Sequence, residues 1–132
     1  MTNNKTVVIN EELATQHLQS IYPSIKNEIT QLSSQNNFAG IIQATVNEIK
    51  ILLQESKVCI VNRNIKMMDW LYRNGTQNVQ LLIENLFVRS FNSFKKQSDV
   101  QQWQFLYQYM PVKFQEIYVK QTRVDEILFK KK

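Results

Sequence analysis

The chain has 132 residues, of which 43% are apolar and 20% are charged, and it contains two glycines and two prolines. A chain of this length buries roughly two thirds of the surface that its unfolded form exposes, so one domain can form without a structural metal or a disulfide. Glycine and proline are 4 of 132 residues, against an average of roughly 12% of residues. This excludes a many-stranded sandwich or a propeller and favours helices.

The net charge is +5, and three of the positive charges belong to Lys130, Lys131 and Lys132. The remaining basic residues are scattered along the chain, whereas a nucleic-acid-binding domain concentrates them on one face. This distribution favours the interpretation that the basic residues are ordinary solvent-exposed side chains and not a nucleic-acid-binding site.

Cys59 is the single cysteine, so no intramolecular disulfide forms and a reducing compartment is favoured. The N-terminal residues lack the basic region and the apolar stretch of a secretory signal. The most apolar stretch, Val79 to Val88, is about half the length that spans a bilayer. We therefore expect a soluble cytoplasmic protein.

Residues 1–9 are predicted to be a flexible segment. Asn10, followed by Glu11 and Glu12, is typical of a helix start. The Asn10 side chain can cap the exposed amides of the first turn, and the two acidic side chains interact favourably with the positive end of the helix dipole. Pro23 can open a second helical segment that carries Ile25, Ile29 and Leu32. The sequence leaves open whether Pro23 breaks or bends one long helix.

Apolar side chains then recur at helical spacing from Phe38 to Leu53 and again from Lys57 to Arg73. In the second of these helices, Ile60, Met67 and Leu71 lie beside the main stripe, which predicts packing on two sides. Gly75 is predicted to end this helix in a left-handed conformation.

Thr76 is predicted to cap the next helix, from Gln77 to Lys95, which carries a stripe rich in phenylalanine. Ser98 and Gln101 have the spacing of a capping box before a short helix, and Pro111 opens the last one. The apolar stripe of this last helix consists of Phe114, Ile117, Tyr118, Gln121, Val124 and Leu128. The sequence thus predicts an all-α, compact bundle of about five to six helices, with a single domain over residues 10–129 and a basic tail at 130–132.

The inventory of reactive side chains is small. One histidine, His17, and one cysteine cannot supply the four ligands of a structural zinc site, and two glycines cannot build a phosphate-binding loop. We therefore expect no metal, no cofactor and no enzymatic activity. The enzyme alternative would depend on Asp69, Glu84 or Cys59, although Cys59 is predicted to be a small filler in a secondary packing contact.

Three aromatic side chains, Trp70, Phe105 and Tyr109, lie off the predicted core stripes, and Arg73 is close to Trp70 in the sequence. Aromatic residues and arginine often anchor protein contacts, so these four are the candidate partner surface. The alternative is that a fold with several layers of helices buries them internally.

The segment MMDWLYRNGTQNVQLLIENLFVRSF, with WQFLYQYMP and FQEIY after it, resembles a family of small, all-helical bacterial proteins of unknown function over residues 65–118. The resemblance implies an immunity or accessory protein that binds a toxin or another partner, and it carries no catalytic residue.

Together these observations predict a non-catalytic cytoplasmic protein-interaction module, of an immunity or adaptor type, that binds an unidentified protein partner. The alternative is a weak nucleic-acid-binding protein that uses Arg63, Arg73, Arg89 and the C-terminal lysines. The sequence leaves the oligomeric state open.

Overall fold

The computed structural model describes residues 8–130, and within this range the chain forms helices and no strand. The all-α prediction is confirmed, but the helices number seven within the described range instead of five to six. Their bounds are α1 (Glu11–Ile21), α2 (Lys26–Ser34), α3 (Phe38–Gln54), α4 (Val58–Asn74), α5 (residues 77–97), α6 (Val100–Gln108) and α7 (Val112–Lys130).

Pro23 breaks the N-terminal helix. Tyr22 leaves the helical conformation with φ −123° and ψ 69°, and a 3₁₀ turn from Pro23–Ile25 connects α1 to α2. The proline has no amide hydrogen for an interior helix bond, so the chain turns at this point. The two segments therefore count as separate helices.

The flexible segment predicted at residues 1–9 and the basic tail predicted at 130–132 lie mostly outside the described residues, because the structure does not describe 1–7, Lys131 or Lys132. Ile9, however, is part of the core and is only 2% exposed. Its N–H donates to the carbonyl of Asn74, and its carbonyl accepts from the N–H of Thr76. Ile9 thus tethers the segment before α1 to the α4–α5 connection. Lys130 is the last residue of α7.

Side-chain caps are present at the starts of α1, α3, α5 and α6. Asn10 accepts a hydrogen bond from the Leu13 N–H, and Thr76 accepts one from Val79, so both predicted caps are confirmed. The predicted capping box at Ser98 is wrong by one residue, because Asp99 and Gln102 form it instead. Ser98 donates its hydroxyl to the Phe94 carbonyl at the end of α5.

Gly75 ends α4 in an extended conformation with φ −87° and ψ 159°, so the predicted left-handed conformation is wrong. The reason is that the chain runs straight on to pair with Ile9. A β-carbon at Gly75 would lie 2.7 Å from the Leu71 carbonyl oxygen and 2.8 Å from Cγ1 of Val79. Glycine is needed here because α4 and α5 approach each other closely.

One hydrophobic core receives side chains from every helix. The predicted aromatic stripe of α5 is confirmed, since Phe87, Phe91 and Phe94 are fully buried. The second stripe predicted on α4 forms only in part: Leu71 is buried, whereas Ile60 and Met67 are exposed.

Helix α5 is not regular. It begins as an α-helix (Gln77–Leu82), passes through a π turn (Ile83–Phe87) and a 3₁₀ turn (Val88–Ser90), and ends as an α-helix (Phe91–Gln97). In the π turn, the Val88 N–H donates to the Ile83 carbonyl, five residues back. The Glu84 carbonyl accepts from the side-chain amide of Gln121 on α7 at 2.9 Å. A side chain from α7 thus bonds to the backbone where α5 departs from α-helical geometry.

We predict that Gly75→Ala destabilises the protein by roughly 1–3 kcal/mol, because overpacking against a backbone oxygen forces α4 and α5 apart. Urea unfolding followed by circular dichroism measures this change. Gln77→Ala, at an exposed position two residues later, is the control and should leave the midpoint nearly unchanged. Equal midpoints for Gly75→Ala and the wild type would contradict the close approach.

Candidate partner-binding surface

Trp70 lies near the C-terminal end of α4, on the solvent side of the helix, and is 42% exposed. Its ring stands edge-on to the ring of His17 on α1, with 4.9 Å between centroids and 72° between planes. This arrangement is a favourable one for two aromatic rings. Trp70 is therefore held in place while much of its surface stays accessible.

A small cleft of about 230 Å³ opens beside this pair, lined by His17, Ser20, Ile21, Met67 and Trp70. Four of these five side chains are apolar or aromatic. The cleft lies between α1 and α4, which pack against each other. It has the size and lining to accept one apolar side chain from another molecule.

Arg73 is one turn beyond Trp70, on the same exposed side of α4. Its Nε donates to Asp69 at 2.9 Å, and the Asp69 side chain is far less exposed than that of Arg73. The second carboxylate oxygen of Asp69 is buried and accepts no hydrogen bond from the described residues. The ion pair fixes the guanidinium at the edge of the exposed face.

The ring of Phe105 on α6 contacts the ring of Tyr109, the residue after the helix, with 5.1 Å between centroids and 57° between planes. Phe105 packs against the core, whereas Tyr109 is 49% exposed. The ammonium of Lys66 lies 5.9 Å from the centre of the Tyr109 ring, within the range of a cation–π contact. Because Lys66 is one turn before Trp70 on α4, this contact joins the α6 pair to the face that carries Trp70.

The four predicted residues are thus linked through α4: Trp70 and Arg73 are exposed on this helix, Lys66 on the same helix contacts Tyr109, and Phe105 supports the Tyr109 ring. We call this surface the Trp70 face. Its members are His17, Lys66, Met67, Trp70, Arg73, Phe105 and Tyr109. Sequence reasoning missed His17 as the support of Trp70 and Lys66 as the link to Tyr109, because both contacts join different helices.

Of the residues of the enzyme alternative, Asp69 and Glu84 both lie near the Tyr72 hydroxyl, whose pKa is raised by burial and further by their negative charges. Asp69 pairs with Arg73, and Glu84 accepts a hydrogen bond from the Tyr72 hydroxyl at 2.5 Å. Cys59 is exposed, so the predicted filler role is wrong. Within residues 8–130, no three histidine, cysteine or acidic side chains are grouped as metal ligands would be.

Two arginines of the nucleic-acid alternative are engaged within the chain. Arg73 holds Asp69, and Arg89 donates from one nitrogen to both carboxylate oxygens of Asp125. Arg63 is exposed on α4, and Lys131 and Lys132 lie outside the described residues.

None of the helices described here combines the length and the apolar composition needed to cross a bilayer.

These features define an all-helical bundle with an exposed aromatic and basic face. Residues 15–124 match the model of a family described as a domain of unknown function, DUF7674, and the chain belongs to this family. The predicted resemblance to a family of unknown function is confirmed, and the match is longer than the predicted range of 65–118. No curated protein and no solved structure matches the chain.

The two tryptophans should respond differently to substitution. Trp103 is buried in the aromatic cluster, so Trp103→Ala should cost about 3–5 kcal/mol of unfolding free energy. Trp70→Ala should cost less, about 1 kcal/mol, because 42% of the Trp70 surface is already exposed to solvent. Chemical unfolding of both variants measures this difference, and a loss for Trp70→Ala as large as that for Trp103→Ala would mean that Trp70 is structural.

Stability should fall in alkali. Burial raises the pKa of Tyr72, and the hydrogen bond to Glu84 raises it further; burial also raises the pKa values of Tyr22 and Tyr118. A group whose pKa is higher in the folded state stabilises the fold below its unfolded pKa, about 10 for tyrosine, and this contribution is lost as the pH rises above that value.

Urea midpoints measured from pH 8 to about pH 11 should therefore drop above pH 10, and Tyr72→Phe should make the drop shallower. Tyr109→Phe, at an exposed tyrosine, is the control and should keep the wild-type slope. A Tyr72→Phe slope equal to that of the wild type would contradict the role assigned to the Tyr72 hydroxyl.

Proposed function

We propose that this protein is a non-catalytic protein-interaction module and that the Trp70 face binds its partner. One observation carries the proposal: Trp70 is supported by His17 and remains 42% exposed beside an apolar cleft. A preorganised tryptophan loses little conformational freedom on binding, and tryptophan is among the commonest anchors of protein interfaces.

The charges around Trp70 indicate the chemistry of the partner. Arg63, Lys66 and Arg73 all lie on the solvent side of α4, and Asp69 neutralises one of them. A basic surface of this kind attracts an acidic one and speeds the encounter between the two. The partner is therefore an acidic protein surface that places one apolar side chain in the cleft between His17 and Met67.

An immunity or adaptor role in a bacterial cytoplasm fits this description. Such proteins act by presenting a rigid surface and need no reactive groups. The exposed thiol of Cys59 suits a reducing compartment, where it stays unpaired. Membership in DUF7674 supports neither an enzymatic nor a structural alternative, because the family description names no activity.

Affinity capture from the native cell tests the proposal. The wild type, Trp70→Ala and the control Leu81→Ala would be used as baits, since Leu81 is similarly exposed but lies on α5. A protein partner should be recovered by the wild type and by Leu81→Ala, and its recovery should fall about tenfold or more with Trp70→Ala.

Two outcomes would contradict the proposal. In one, Trp70→Ala recovers every partner as well as the wild type does. In the other, recovery depends on nucleic acid and disappears after nuclease treatment, which would favour the nucleic-acid alternative; a steep decrease of DNA or RNA affinity with salt would then confirm it.

A further inference from the structure

Helix α7 carries a second exposed surface, which is unrelated to the Trp70 face. Val112, Val119 and Ile127 are 68%, 40% and 54% exposed. At 100° per residue they lie within an arc of roughly 80° on the outer side of the helix, together with Glu116 and Arg123. A stripe of branched aliphatic residues with charges between them is typical of a helix that packs against another helix.

The charged members of this stripe have no ion-pair partner in the described part of the chain. The ion pairs found there join Lys57 to Glu55, Arg73 to Asp69 and Arg89 to Asp125. Glu116 and Arg123 are two turns apart on the same side of α7, about 10 Å along the axis. They are therefore too far apart to pair directly with each other.

The order of residues in the stripe is self-complementary. Consider two copies of α7 packed antiparallel about a two-fold axis between Val119 and Lys120. Residues equally far from this midpoint then lie at the same level, so Glu116 faces Arg123 of the partner subunit. Val112 likewise faces Ile127 of the partner subunit, and the symmetry repeats both contacts.

Val119 lies level with Lys120 of the partner subunit, but Lys120 points about 100° away from Val119 around the helix. The two copies of Val119, about 1.5 Å apart along the helix direction, therefore contact each other beside the axis. In a parallel pair, by contrast, Glu116 would face Glu116 of the partner subunit, and like charges would repel. The charges therefore select the antiparallel orientation.

The surroundings of the stripe can receive a second helix. A groove of about 540 Å³ runs beside it, lined by Tyr107 on α6 and by Val112, Val119 and Arg123 among others on α7. In a pair of subunits, the stripe of each α7 helix can lie in the groove beside the stripe of the partner helix.

We propose that the outer face of α7 is a homodimer interface in which two copies of this chain pack antiparallel about Val119. A two-fold dimer uses the same patch on both subunits, which must be self-complementary. The stripe of α7 meets this condition in both its charges and its apolar residues.

Sedimentation velocity across a range of roughly 10 μM to 1 mM tests for the dimer. The wild type should shift from monomer toward dimer with rising concentration. Glu116→Arg and Arg123→Glu should each raise the dimer Kd about tenfold or more, because each places like charges at two symmetric positions. The double variant Glu116→Arg/Arg123→Glu restores the opposition of charges and should restore the dimer.

Glu28→Arg, which makes the same charge change at an exposed residue of α2, is the control and should leave the Kd unchanged. A wild type that stays monomeric over the whole range would overturn the proposal. A double variant that dimerises no better than the single variants would also overturn it.

Cysteine crosslinking tests the orientation. In a Cys59→Ser background, Val119→Cys should form an intermolecular disulfide on oxidation, because the two copies of residue 119 meet beside the axis. Val112→Cys should not, because its two copies would lie about 22 Å apart along the axis, and a disulfide requires α-carbons within about 7 Å. Equal crosslinking at the two positions would overturn the antiparallel arrangement.

Discussion

The packing of Phe91 is the interaction that holds the two C-terminal helices, and with them both candidate surfaces, against α5. Its ring is fully buried and contacts five other rings at centroid distances of 5.7–6.5 Å. These rings belong to Phe87, Phe94, Trp103, Phe114 and Tyr118. One side chain thus joins α5 to both C-terminal helices, and it does so by burying aromatic surface, which gives a large stabilisation per residue.

Both candidate surfaces depend on this cluster. Helix α6 carries Tyr109 toward Lys66 on α4, so the position of α6 completes the Trp70 face. Helix α7 buries Phe114 and Ile117 on one side and presents Val112 and Val119 on the other. A shift of either helix on the aromatic cluster would move the corresponding surface.

Polar contacts fix where α7 lies along α5. The Gln121 amide bonds to the Glu84 carbonyl in the π turn, and Arg89 pairs with Asp125 one turn further along α7. These contacts are individually modest in energy, because exposed ion pairs are worth about 1 kcal/mol or less. They specify the register, while the aromatic rings supply most of the free energy.

Local patterns predicted most of the helices, because helical periodicity and capping depend on neighbouring residues. The stripe beginning at Phe38 and the caps at Asn10 and Thr76 are of this kind. The conformation of Gly75 could not be predicted in this way, because it depends on Ile9, which is distant in sequence. The π turn in α5 likewise involves a side chain from α7.

The candidate partner surface was predicted in part. Helical-wheel angles placed Trp70 and Tyr109 off the core stripes, and the structure leaves both exposed. The same reasoning could not find the support from His17 or the contact between Lys66 and Tyr109, since periodicity within one helix says nothing about which side chain a neighbouring helix supplies. The two apolar residues Ile60 and Met67 were assigned to packing because the sequence does not show where the last helices dock.

Hydrogen exchange on Phe91→Leu tests the role of the aromatic cluster most directly. The account predicts that amides in α6 and α7 lose protection relative to the wild type, while those in α1–α3 keep theirs, because the smaller side chain weakens the contacts that join the C-terminal helices to α5. An equal loss of protection in all seven described helices, or no loss in α6 and α7, would contradict it.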